Sequence, residues 1–287
     1  MRDTAIHLTV LLNQIANAVG RFLLAPLGFL PEVAGALVVA VVTGILMLIA
    51  FKYTSHQSAI KHVRNGIKAE LLALSLFKDS VAVSLGSQWR IVQGAIKLIL
   101  ISLIPIGCMV IPVTLLLGQL SLWWQARPLQ IGEDVIVTLA LNENDTTSWP
   151  NVTLQTAPAM EITQGPFRIR SRREMCWQLQ ARASGYHRLN FVVDGQPVEK
   201  EVAVGSGTMR VSIQRPRWNL SDILMHPAEA PFQPSFKVKS ISIQYPLETI
   251  WTHGRYSSLF FYSWLVFWFI GSTIAAFCFR GILKVNL

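Results

Sequence analysis

The sequence predicts an integral membrane α-helical protein. It has three transmembrane helices and a cytoplasmic helical hairpin, and it carries an extracytoplasmic all-β, sandwich-like domain. Three observations lead there. Of 287 residues, 52% are hydrophobic and only 14% charged, against about 25% charged in soluble globular chains. Three runs free of Asp, Glu, Lys and Arg, 33–51, 98–125 and 256–279, reach the roughly 20 residues that a spanning helix needs. Between the second and third runs the hydrophobic period changes to two. The mean hydropathy of +0.42 is therefore an average over a membrane part and a soluble part.

Residues 1–30 read as an amphipathic helix lying in the membrane interface. His7, Gln14 and Arg21 recur at seven-residue intervals with Asn17 on the same face, and Leu8, Leu11, Leu12, Ile15, Val19, Phe22 and Leu23 form the apolar face. Pro26 and Pro31 separate it from the first span, 31–52. No secretory cleavage site is evident, so the first span is expected to serve as targeting signal.

Residues 53–94 form the hairpin. Ile60, Val63, Ile67, Leu71, Leu74 and Phe77 follow the 3–4 spacing of a helical seam, and Lys61, Arg64 and Lys68 fall on the other face. With Lys78 and Arg90 they make a basic docking surface, either for anionic lipid or for a partner such as a ribosome or nascent chain. A second helix is expected from about Ser87 into the second span, 95–125, where Pro105 and Pro112 predict a kink but no end, because neighbouring groups can satisfy the freed carbonyls.

Charge sets the orientation. Residues 52–97 hold seven Lys or Arg against Glu70 and Asp79, whereas 127–255 hold fourteen basic and twelve acidic residues. Short basic loops stay in the cytoplasm, and long domains cross largely regardless of charge. This places the N-terminus and the β domain outside and the C-terminus inside, in a multi-pass arrangement in the plasma (inner) membrane. It also explains the net charge of +9 without direct binding of nucleic acid.

The β domain covers 127–217. Val135, Val137 and Leu139 alternate with Ile136, Thr138 and Ala140. Further strands are expected at 152–155, 161–163, 167–170, 174–181, 187–193, 200–204 and 209–214. They are punctuated by turns at Asn144-Asp145, Gln164-Gly165-Pro166, Ser184-Gly185, Asp194-Gly195 and Gly205-Ser206-Gly207. A connector with four prolines and one strand at 239–244 fills 218–256. The third span is 257–280, and 281–287 is a cytoplasmic tail. Trp123, Trp124, Trp251, Trp264 and Trp268 near the span ends suit an aromatic belt.

Catalytic chemistry is not in view. The six histidines lack partners at metal-ligand spacing, and there is no phosphate loop and no nucleophile or zinc motif. Glu133-Asp134 opens a strand and reads as solvated. Cys108 and Cys278 lie in spans and Cys176 is alone in the outer domain, so no disulfide framework is expected. Sequons occur at Asn144, Asn151 and Asn219. No enzyme, metal or cofactor is expected. The spans carry Thr43, Ser102, Thr114, Gln119, Ser263, Ser272 and Thr273. Such residues either pack helices together or line a hydrophilic groove.

The order of parts resembles the Oxa1/YidC superfamily of membrane insertases. The likeness is carried by 51–120: Ile67-Lys68-Ala69-Glu70-Leu71-Leu72-Ala73-Leu74, then Phe77-Lys78-Asp79, is similar to the second half of that family's cytoplasmic hairpin, and the span with Pro105 and Pro112 to the helix after it. The resemblance implies a non-enzymatic protein that assists insertion or assembly of other membrane proteins, through a groove among the spans. Its partners would be the bilayer and client chains. The chain departs from bacterial members in having no Arg in 33–51 and in carrying the β domain between the last two core spans. The other reading of the same parts is an accessory subunit of a larger membrane complex, with the β domain as contact module.

Overall fold

The computed structural model describes residues 2–55, 57–76, 81–142, 149–155, 158–246, 263–283 and 285. Helices α1 (Arg2–Leu24), α2 (Glu32–Thr54), α3 (Gln57–Leu76) and α4 (Val81–Trp124) precede strands β1 (Asp134–Leu141), β2 (Val152–Gln155), β3 (Met160–Ile169), β4 (Glu174–Ala181), β5 (Gly185–Val193), β6 (Gln196–Val204) and β7 (Gln214–Arg215). Helix α5 (Leu220–Met225), strand β8 (Val238–Ile243) and helix α6 (Ser263–Phe279) follow. The chain divides into two compact units, one of Met1–Gly35 with Thr114–Trp264 and one of Ala36–Val113 with Leu265–Leu287.

In the first unit, β3-β4-β1-β8-β7 form one sheet and β2-β5-β6 another. Every strand pairing in both sheets is antiparallel. The period-two pattern decides which side chains enter the core: Val135, Val137, Leu139 and Leu141 from β1, Met175, Trp177 and Leu179 from β4, and Leu189, Phe191 and Val193 from β5 are all buried in one cluster. Trp177 meets Phe191 edge to face at 5.4 Å, joining the two sheets, a geometry worth about 0.5–1.5 kcal/mol beyond area burial. The β5–β6 hairpin turns at Asp194-Gly195, both with positive φ (47° and 85°), as a two-residue primed turn requires.

Three details of the sequence reading change. Strand β8 lies between β1 and β7, so residues beyond 217 belong to the sheet and the connector is part of the fold. The expected strand at 209–214 reduces to β7. Gln164-Gly165-Pro166 does not separate two strands; it is an irregularity within β3, with register shifts around Gln164. The turn at Asn144-Asp145 lies outside the described residues.

Helix α1 docks on this unit by a mixed strip of Ile6, Val10, Asn13, Asn17, Gly20 and Leu24, while His7, Gln14 and Arg21 of the expected polar face are exposed. Positions 6, 10, 13, 17, 20 and 24 are buried or half-buried, a 3–4 repeat that contains Asn13, Asn17 and Gly20. The apolar residues Leu8, Leu11, Ile15, Val19, Phe22 and Leu23 are 50–81% exposed. The apolar face of α1 thus points away from the protein. Together with the turn after it, α1 is long and apolar enough to cross a membrane (Asp3–Phe29), as are Val33–Thr54 and Ser84–Trp124.

The second unit holds most of α2, α3 and α4 and nearly all of α6. Helix α4 begins at Val81, before Ser87, and continues through Pro105 and Pro112 for 44 residues. At 1.5 Å per residue it extends about 66 Å, well beyond a hydrocarbon core of about 30 Å. Helix α6 has 17 residues; the first part of the third expected span, 256–262, lies outside the described residues.

Candidate functional site

The hairpin of α3 and α4 keeps an antiparallel register that two contacts fix. Ile67 lies against Gly94, where an added Cβ would come within 2.7 Å of Ile67 Cγ1. Arg90 Nη1 donates to Glu70 Oε1 at 3.2 Å. The seam expected from sequence is buried only at Ile60 and Val63. Further along, Leu71, Leu72, Leu76, Leu85 and Trp89 are 54–78% exposed. Lys61, Arg64 and Lys68 are exposed on α3. Phe77 and Lys78 lie outside the described residues. The hairpin therefore exposes an apolar patch in its distal half and basic side chains nearer the start of α3.

The polar residues of the spans have local partners. Thr43 is buried; its Oγ1 donates to Val39 O at 2.7 Å and accepts from Trp268 Nε1 at 2.8 Å. Ser272 Oγ donates to Phe269 O at 3.1 Å, and Gly44 is pressed on the Ser272 backbone while Gly271 meets Ala40. Small residues here let α2 and α6 approach closely. Ser102 Oγ donates to Leu98 O one turn back at 2.9 Å. Gln119 is buried, with Nε2 donating to Asn17 Oδ1 at 2.9 Å. Thr114 and Thr273 are half-buried, and the Ser263 side chain lies outside the described residues. Thr43 and Ser272 thus serve one helix contact and Gln119 another. Of the tryptophans near the span ends, Trp123, Trp124 and Trp264 are buried, Trp268 is the donor to Thr43, and Trp251 lies outside the described residues.

The β unit contains an ionic cluster that sequence reading missed. Lys200 is fully buried; its Nζ donates to Ser212 O at 2.6 Å, Ser212 Oγ at 3.0 Å and Glu229 Oε1 at 2.6 Å. Ser212 Oγ also contacts Glu229 Oε1. Arg210 donates to both Glu201 oxygens, at 3.0 and 3.2 Å, and to Ala228 O at 3.0 Å. Burial pushes the Lys200 ammonium pKa down, and the Glu229 carboxylate opposes that shift. Burial likewise lowers His226 and raises the Tyr245 phenol, whose oxygen accepts from Ala203 N at 3.0 Å. The signal was in the register: Lys200 occupies the inward phase of Val198-x-Lys200-x-Val202-x-Val204. Glu133, read as solvated, instead accepts two hydrogen bonds from Arg127 at 2.8 and 2.9 Å, and that guanidinium holds its carboxyl below the usual range.

Beside this cluster is a cavity of about 460 Å³ lined by Arg21, Trp123, Arg188, Glu201 and Arg210, among others. Among the described residues no group of three or more His, Cys, Asp or Glu side chains could hold a metal ion. The cluster's charges are matched in pairs, which is the arrangement of a structural network. No protein-family model, no curated protein and no solved structure matches the chain.

Proposed function

We propose that the protein is a non-enzymatic membrane protein that assists the insertion or assembly of other membrane proteins, as the Oxa1/YidC resemblance implies. One observation carries this reading: the distal half of the α3–α4 hairpin exposes Leu71, Leu72, Leu76, Leu85 and Trp89, and the same helix exposes Lys61, Arg64 and Lys68 in the turns that precede them. Apolar patches of this kind mark interaction surfaces. A client's emerging apolar segment would rest on the leucines, while the lysines and arginine hold the anionic bilayer surface or a ribosome. Helix α4 is long enough to carry that patch beyond the bilayer and still cross it. In this reading the hairpin is cytoplasmic and the β unit lies on the opposite side, as the positive-inside rule requires.

A second reading, an accessory subunit of a larger membrane complex, is favoured by the packing of Thr43 and Ser272. Hydroxyls committed to helix contacts offer little to a passing polar chain. Photocrosslinkers at Leu72, Leu76 and Trp89, compared with one at Thr43, separate the two in living cells. Capture of many short-lived nascent membrane proteins from the hairpin positions is expected. Capture of a single partner in fixed ratio would establish the subunit reading instead, and capture of lipid alone would reject both.

A further inference from the structure

We infer that the free edge of β3, with the arginine turn that follows it, takes up an acidic, extended segment of another protein. Strand β3 ends the five-stranded sheet, and among the described residues no strand pairs with its outer side. Register shifts around Gln164 interrupt the first part of that edge. Beyond them Phe167, Arg168 and Ile169 pair regularly with Cys176, Met175 and Glu174. Phe167 and Ile169 are 54% and 37% exposed. A free edge is a template for an added strand: backbone groups supply affinity and neighbouring side chains select the partner.

Charge says which strand. Arg168, Arg170, Arg172 and Arg173 crowd into six residues. Arg170–Arg172 form a 3-10 turn that Arg173 closes in the left-handed conformation, with φ 53°. Arg168 and Arg173 lie over the Trp149 ring, 5.9 and 6.0 Å from its centre, which holds the base of the turn. Arg168, Arg170 and Arg172 are exposed, and none of them forms an ion pair with a described carboxylate. Elsewhere in the β unit the exposed Arg182 and Arg188 hold Glu161 and Glu199 at 2.6 and 2.8 Å. The four guanidiniums outnumber the carboxylates close by in sequence. These are Glu174, half-buried and opposite Ile169, and Glu143 and Asp145, which lie outside the described residues. Such an edge repels its own copy in a second molecule and attracts an acidic strand.

The position argues for a protein over a lipid surface. Strand β4 leads away from the arginine turn to Ala181, whose carbonyl accepts from Gly132 N at 2.7 Å, shortly after α4 ends. Its eight residues, at about 3.3 Å each, separate the turn from the α4 end of the sheet by about 25 Å. A charged bilayer surface at the α4 end is screened over that distance, since the Debye length is about 8 Å at physiological salt. An anionic polysaccharide would satisfy the guanidiniums, but it has no amide backbone for the edge and no side chains for Phe167 and Ile169. The inference goes beyond both functional readings and rests on neither the hairpin nor a groove; it requires only that the β unit be accessible.

The test uses the full-length protein in a neutral detergent and a fluorescein-labelled peptide that alternates glutamate with valine. Fluorescence anisotropy follows binding, and the thermal midpoint checks that each variant is folded. The peptide is expected to bind about tenfold more weakly to Arg170→Gln/Arg172→Gln, whose side chains have no described partner to lose. Arg182→Gln, an exposed arginine already paired with Glu161, should bind as the parent does. The same peptide with alternate backbone amides N-methylated keeps its charge but cannot add as a strand, and it should bind at least tenfold more weakly. Equal binding of the N-methylated peptide, or an equal loss in Arg182→Gln, would overturn the assignment. So would binding of heparin or of phosphatidylglycerol vesicles at the same arginines without binding of the peptide, which would give the turn to a polysaccharide or a lipid surface instead.

Discussion

Gln119 donates a hydrogen bond to Asn17 across 102 positions of sequence, at 2.9 Å, and Asn17 in turn donates to Pro227 O at 2.7 Å. Asn13 repeats the device one turn earlier, donating to Ile223 O at 2.9 Å. These amides attach α1 to α4 and to the α5 region, and they explain why the apolar face of α1 is turned outward. Where lipid covers that face, the Asn13 and Asn17 amides are what must find protein partners.

Gln119→Leu is therefore expected to leave Asn17 Oδ1 without its donor and to destabilise the first unit by about 1–3 kcal/mol, the usual penalty for an unsatisfied buried polar group. Gly20→Ala should act on the same joint, since its Cβ would lie 2.7 Å from Gln119 Oε1. Thermal unfolding in detergent, followed with the cleavage rate of the α1 region by protease, measures both. Unchanged melting in the two variants would show that α1 is held by something else.

The contact of α2 with α6 gives a sharper contrast. An added methyl at Gly44 would collide with the Ser272 carbonyl, which is backbone and cannot turn aside, whereas Gly107 has nothing within 4 Å. Gly44→Ala should destabilise the second unit, while Gly107→Ala should be neutral or stabilising through the better helix propensity of alanine, by about 1 kcal/mol. Thr43→Val should cost about 1–2 kcal/mol by removing the acceptor from Trp268 Nε1. Thermal midpoints of the three variants decide the matter; equal behaviour of Gly44 and Gly107 would contradict the close approach.

Much of this fold was legible in the residues, for physical reasons that can be named. Period-two burial along Val135, Val137 and Leu139, and the Asp194-Gly195 turn, depend on local stereochemistry, and both appear in the structure. The 3–4 spacing from Ile60 identified a helix but not its cover, because periodicity cannot say whether a seam meets a partner or is left open at Leu71 and Leu72. Strand β8 escaped assignment to the sheet since it pairs with β1 from about 100 residues away, a non-local choice. The groove residues Thr43 and Gln119 were visible as polar atoms in apolar runs. Their partners, Trp268 and Asn17, depend on tertiary packing, and so does the pairing of Lys200 with Glu229.

Lys200 and Glu229 form a buried pair at 2.6 Å with side chains 0% and 12% exposed. Removing one partner from such a pair costs about 3–5 kcal/mol, because the other charge is left uncompensated, while replacing both with apolar groups of similar size is often close to neutral. Lys200→Met is expected to destabilise strongly and Glu229→Leu to do the same. The double variant should recover most of the loss, less what Ser212 forfeits as an acceptor of the ammonium. A double-mutant cycle on thermal or denaturant unfolding gives the coupling. Additive losses would mean that the two charges stabilise the sandwich independently.

Acid should weaken the protein through His226. Burial is the largest influence on this imidazole and lowers its pKa below 6.5; Asp222 pulls it upward and the Lys200 charge pushes it further down. The unfolded chain then binds a proton that the folded chain refuses, so stability falls as the pH drops from about 6.5 toward the folded pKa. Glu133 acts in the same sense in a lower window: Arg127 depresses its pKa, and its contribution is lost only as the pH falls below about 4.5. The parent protein should thus lose thermal stability between pH 7 and pH 5, and His226→Gln should lose measurably less over that interval, with Lys200 and Glu133 unchanged in both. Parallel pH profiles for parent and variant would show that His226 is charged as readily in the fold as in the open chain.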